Sequence, residues 1–104
     1  DIKMQPVPEN TKPNHWLSVI TLSEDSKVKP LDIMIALERK NIESRPVWKP
    51  MHMQPIFKEY DFIKVKEKPV SEDLFKRGIC LPSDTKMTKE EQEIVINIIK
   101  GLWK

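Results

Sequence analysis

The sequence predicts an α+β domain in which helices pack on a small, mainly antiparallel sheet, and three features predict it. A β-rich run, HWLSVITL over residues 15–22, lacks helical spacing and fits a strand. Near the other end, TKEEQEIVINIIKGLW carries a helix-starting signal followed by an apolar stripe. Between them the segments are short and of mixed type, so few strands and two good helices must share one core. A chain of 104 residues suits a single domain of ordinary size.

Residues 1–13, DIKMQPVPENTKP, hold three prolines and no apolar periodicity. They are expected to be a linker from an upstream part, since Asp1 is not an initiator methionine, with the domain itself over residues 14–104. In the strand at 15–22, Trp16, Ile20 and Leu22 alternate with Leu17 and Val19. Both faces are therefore expected to be largely covered. Pro30 suits a first helical turn, and Leu31, Met34, Ile35 and Leu37 follow it at helical spacing until Asn41. Residues 42–47 read as an extended edge segment, because Arg45 precedes a proline and prolines cannot donate to a central ladder. A long loop follows, with one helical turn expected after Pro55. Ser71 is the expected N-cap of a short helix, SEDLFKR, closed by Gly78 in a left-handed conformation. Residues 79–81 form a short buried strand stopped by Pro82. Thr88 and Glu91 make a capping box, and the last helix is expected over residues 89–100.

Composition narrows the function. A net charge of +2, 38% hydrophobic and 33% charged residues describe an ordinary folded chain, and its lysines alternate with acids instead of forming a phosphate-tracking stripe. No nucleic-acid partner is expected. Nor is a membrane one, for no window approaches the roughly 20 apolar residues of a span and the opening residues do not read as a signal peptide. A single cysteine, Cys80, flanked by Ile79 and Leu81, reads as a core residue in a reducing setting, so a cytoplasmic location is expected. With two glycines there is no phosphate loop, and neither GxSxG nor HExxH occurs. His15 and His52 lack metal-ligand partners, so no metal site and no complete catalytic set is expected. His15 is expected to play a structural part, and Trp103 to pack the last helix.

The stretch RPVWKPMHMQPIF, residues 45–57, is the candidate site. Its three prolines fix φ and lower the entropy lost when a presenting loop orders. Arg45 offers a bidentate anion fork, Trp48 a stacking plane and Lys49 a point charge, a trio suited to a phosphorylated, base-bearing small molecule. An alternative is equally compatible with these residues: Trp48 and Met51 could simply cover a sheet edge.

Three runs carry a family resemblance: NHWLSVITL, ALERKNIESRPVWKPMHMQPIF and FKRGICLPSDTKMTKEEQEIVINIIK. Over residues 14–103 the chain resembles the C-terminal part of the sugar-nucleotide aminotransferases of the DegT/DnrJ/EryC1/StrS family, pyridoxal-phosphate enzymes of the aspartate aminotransferase fold type. RPVWKPMH and GICLPS are most similar to members that aminate C4 of a UDP-linked 4-keto-6-deoxy-N-acetylhexosamine. The resemblance implies a small domain closing over a cleft built mainly by a large domain, with His52 at a histidine position that contacts substrate. It implies pyridoxal 5′-phosphate held by that large domain, an amino-acid donor expected to be glutamate, and a homodimer. Schiff-base lysine, pyridine-nitrogen acid and phosphate site would all lie upstream, so this chain alone is expected to be inactive. Arg45, Trp48 and Lys49 join His52 as substrate-binding candidates on their chemistry alone. The second reading is a stand-alone module that binds protein or nucleic acid through Trp48, Lys49 and nearby bases.

Overall fold

The computed structural model describes residues 1–65 and 67–104. Four strands form one sheet: β1 (Ile2–Met4), β2 (Ser18–Leu22), β3 (Arg45–Pro46) and β4 (Gly78–Leu81). Their spatial order is β1-β2-β4-β3, and every pairing is antiparallel. Three helices accompany them: α1 (Pro30–Glu38), α2 (Val70–Arg77) and α3 (Lys89–Gly101), with single 3₁₀ turns at Met51–Met53 and Pro55–Phe57. This is the expected α+β arrangement of helices on a small antiparallel sheet.

Pairing register decides which side chains meet. Ile20 lies opposite Ile79, so these two and Leu22 point to one face, whereas Val19, Cys80 and Arg45 share the other. On the first face Ile20, Leu22 and Ile79 pack against Ile33 and Leu37 of α1 and Val95 and Ile99 of α3. Ile33, Leu37 and Ile79 have no exposed surface. Truncating any one of them to alanine removes buried methyl groups and leaves a cavity, a loss of about 2–5 kcal/mol.

Helix starts follow the local chemistry. Pro30 occupies the first turn of α1, and Asp32 reaches back to accept a hydrogen bond from the Lys29 N–H at 2.8 Å. Asn41, at φ 57°, then turns the chain out of α1. In α3, Thr88 Oγ1 accepts from Glu91 N–H at 3.2 Å while the Glu91 carboxylate accepts from Thr88 N–H at 2.8 Å, the reciprocal cap read from the sequence. Among the described residues no helix is long and apolar enough to cross a membrane.

Several expectations are corrected. Residues 2–4, expected within a linker, form edge strand β1 on β2, and Trp103 Nε1 donates to the Asp1 carboxylate at 2.9 Å. Strand β2 begins at Ser18, since His15 takes a left-handed φ of 53°. The second face of β2, expected to be largely covered, is half-buried, with α2 lying against it. The N-cap of α2 is Pro69, not Ser71. Gly78 is not left-handed: at φ −95° and ψ 153° it enters β4 directly. Its small size answers a different demand, since an added Cβ would lie 2.5 Å from the Leu74 carbonyl oxygen and 2.6 Å from Val47 Cγ2. Helix α2 can therefore sit against the second face only if residue 78 has no side chain.

Arg77 locks that seating. Its guanidinium grips Asp73 as a fork, with Nε 2.9 Å from Oδ1, and also donates to the Leu22 carbonyl at the end of β2. The Arg77 hydrogen bond, helped by Lys68 and opposed by burial, lowers the Asp73 carboxyl to about 2.

Gly78→Ala should lose about 1–3 kcal/mol in urea unfolding, and adding Val47→Ala should restore only part, because the Leu74 oxygen belongs to the backbone. A neutral Gly78→Ala would show that α2 does not press on this strand. For Asp73, a depressed folded value means the stabilisation is present above its unfolded value of about 3.9 and is lost as pH falls toward about 2. Across that window wild-type melting temperature should fall more than that of Asp73→Asn, which should start lower at neutral pH. Parallel profiles would contradict the Asp73–Arg77 assignment.

Candidate functional site

The second sheet face opens into a bay of about 860 Å³. Its floor includes Cys80, and around it stand Trp16, Leu17, Arg45, Trp48 and Lys49. The sequence sets these positions one at a time. Before β2, the Asn14 carboxamide oxygen accepts from the Trp16 N–H at 3.1 Å while His15 turns left-handed, which projects Trp16 from the end of the strand. After β3, Pro46 and Pro50 restrict the chain on either side of Trp48, and Pro50 itself is buried. The two indoles meet with ring centroids 5.9 Å apart and planes tilted by 43°, yet stay 69% and 65% exposed. So large an exposed aromatic pair is an energetic liability for a solvated surface and an asset for one that receives a flat ring.

Polar groups border this apolar surface. Arg45 Nε donates to Glu43 Oε1 at 2.8 Å, but both side chains are roughly three-quarters exposed, so the pair is weak and an anion in the bay can compete for the guanidinium. Lys49 is exposed at the rim. Ser44 also lines the bay, and its buried Oγ has no hydrogen-bond partner among the described residues. Burial pushes the Cys80 thiol up, so it stays protonated and serves as floor, not nucleophile.

Of the four expected site residues, the structure gathers Arg45, Trp48 and Lys49 and sets His52 apart. Met51–Met53 forms a 3₁₀ turn that carries the imidazole into a separate depression of about 240 Å³ lined by Phe57, Tyr60 and Phe62. There His52 stacks on Phe62, centroids 3.6 Å apart and planes within 7°, and its Nε2 lies 2.8 Å from Glu72 Oε1. Sequence reasoning missed Trp16, Ser44 and Glu72. Trp16 read as a covered residue within the strand, because its exposure and the start of β2 at Ser18 appear only on folding, and the other two depend on contacts that only folding creates.

Pyridoxal phosphate requires a desolvated lysine and a cup of backbone donors for its phosphate. Every lysine among the described residues is exposed. Gly78 is buried at a helix–strand junction and Gly101 ends α3. These residues do not fit a cofactor site. Among the described residues no group of three metal-ligating side chains converges either.

A small antiparallel sheet with helices sealed on one face and an open bay on the other is the architecture to be compared with known folds. It matches an aminotransferase from Brucella abortus, with a TM-score of 0.78 and 24% identity, over 97% of this chain and 26% of that one. A sugar aminotransferase assignment from Streptococcus pneumoniae, in its PMP form, matches at a TM-score of 0.68 and 24% identity over 83% of this chain and 21% of that one. The chain belongs to the DegT/DnrJ/EryC1/StrS aminotransferase family, whose model matches residues 1–100. EpsN of Bacillus subtilis (strain 168), assigned as a pyridoxal phosphate-dependent aminotransferase, is 47% identical over 91 residues, 86% of this chain and 23% of its own length. A GDP-perosamine synthase of Vibrio cholerae is 33% identical over 91 residues, covering 86% of this chain and 24% of that protein. The chain thus spans about a quarter of the length of these relatives.

If Cys80 is the covered floor of the bay, its reaction with a soluble disulfide reagent should be at least about tenfold slower in the folded chain than in denaturant at the same pH. Equal rates would mean that the floor is open to solvent.

Proposed function

We propose that this chain is the C-terminal small domain of a pyridoxal phosphate-dependent sugar-nucleotide aminotransferase, and that it positions the nucleotide sugar without taking part in bond making. One observation carries this reading: the face left open by the sheet gathers an exposed tryptophan pair, a weakly committed guanidinium and an ammonium group around one apolar bay. Stacking, bidentate phosphate binding and charge neutralisation are the three interactions that a nucleoside diphosphate sugar asks for. Family membership supports the amino-transfer chemistry.

In this reading Trp48 stacks on the base or sugar, Arg45 and Lys49 hold the diphosphate, and His52 contacts the sugar from the neighbouring depression. The bay and the depression become one surface when a larger domain covers both. Pyridoxal 5′-phosphate belongs to that large domain, consistent with the misfit of the residues here, and supplies the electron sink for amino transfer. The share of this chain is orientation and the exclusion of water, a geometric contribution to rate. A UDP-linked 4-keto-6-deoxy sugar is the proposed acceptor, on the strength of the RPVWKPMH and GICLPS runs, with glutamate as the amino donor. A homodimer acting in the cytoplasm completes the proposal. Family membership favours this reading over a stand-alone module for protein or nucleic acid.

In the full-length enzyme, Arg45→Ala and Trp48→Ala should each raise KM for the nucleotide sugar by about tenfold, the scale of one lost charged or stacking contact. The absorbance of bound pyridoxal phosphate should be unchanged. Wild-type constants in both variants would remove the bay from the substrate site.

A further inference from the structure

We infer that Glu72 is the positioning residue for His52, fixing its ring so that Nδ1 is the atom presented to the sugar. This rests on the proposed substrate-contact role of His52 and deepens it.

The ring of His52 is constrained in two independent ways. Phe62 holds its plane, with centroids 3.6 Å apart and only 7° between the rings. Glu72 fixes its rotation within that plane, through Oε1 at 2.8 Å from Nε2. An ionised carboxylate only accepts, so Nε2 must carry the proton. In a neutral imidazole the other nitrogen is then an acceptor. Nδ1 makes no hydrogen bond to another described residue, and the His52 side chain is 16% exposed, so one edge of the ring is available to a ligand. Nδ1 as an acceptor matches a sugar hydroxyl or an N-acyl N–H, and a protonated ring would present a donor at the same place.

Glu72 has no competing local task. It occupies the third position of α2, where a glutamate ordinarily reaches back to the N-cap N–H. Here the N-cap is Pro69, which has no N–H to offer. An acid in the first turn is still favoured by the helix dipole, but that effect needs no particular rotamer, and Asp73 supplies it as well. The carboxylate of Glu72 instead crosses to a loop 20 residues earlier. The contact joins α2, which is seated on the sheet through Gly78 and Arg77, to the otherwise irregular segment after Trp48. In this way the packing of the sheet reaches the sugar-facing nitrogen through a single carboxylate.

A double-mutant cycle in the full-length enzyme tests this. His52→Ala should raise KM for the nucleotide sugar by about tenfold, and Glu72→Ala should reproduce most of that rise with little change in kcat. The double variant should be no worse than His52→Ala, and Glu72→Gln, whose amide oxygen still accepts from Nε2, should restore most of the affinity. If His52→Ala is impaired while Glu72→Ala has wild-type constants, or if the two losses add, the positioning role is overturned and the reading of His52 stands. If His52→Ala itself is silent, the reading and the inference fall together. Imidazole ¹⁵N shifts of the 104-residue chain provide a check independent of turnover. The neutral His52 ring should carry its proton on Nε2, and a proton on Nδ1 would contradict the assignment.

Discussion

Register in the central strand pair governs the rest of the molecule. Once Ile20 faces Ile79, one face of the sheet is committed to α1 and α3, and every residue of opposite parity must point to the other. Cys80 and Arg45 lie on that second face for this reason alone. A shift of one residue would bury Arg45 and turn Ile79 into solvent, which the apolar seal forbids. Residue 78 falls on the same parity as Cys80. There α2 approaches the strand so closely that only glycine fits, which leaves the remaining part of the face as a bay.

This geometry divides labour between the two sides. The helical side supplies stability through close-packed Ile, Leu and Val. The open side carries what stability would not select: two exposed tryptophans, a buried hydroxyl with no partner among the described residues, and an arginine in a loose surface pair. Features of this kind concentrate where a surface is meant to be covered by something else, and the proposed role supplies both a substrate and a larger domain to cover it. Prolines on both sides of Trp48 reduce the freedom that the loop must give up when that happens.

Much of the fold was legible in the sequence because it was written locally. Pro30, Asn41, the Thr88–Glu91 pair and the stripe from Ile94 to Leu102 each act within one or two turns of their own positions. Strand β1 was not legible, since Ile2 and Met4 are exposed and join the sheet through backbone pairing, which leaves no periodicity to read. Gly78 misled for a related reason: its requirement comes from Leu74 and Val47 in three dimensions, not from a helix terminus. At the site, Arg45, Trp48 and Lys49 were found together because their chemistry is adjacent in the chain. His52 entered the set through the family resemblance, and the 3₁₀ turn and the stack on Phe62 place it in a separate depression.

In the proposed division of labour this chain orients a substrate and holds none of the cofactor chemistry. Borohydride reduction of the purified 104-residue chain in the presence of pyridoxal 5′-phosphate, followed by peptide mapping, tests it most directly. Only scattered, substoichiometric labelling of its exposed lysines should appear, whereas the full-length enzyme should be labelled at one lysine outside this chain. Stoichiometric labelling of a single lysine within it, accompanied by amino transfer, would contradict the account.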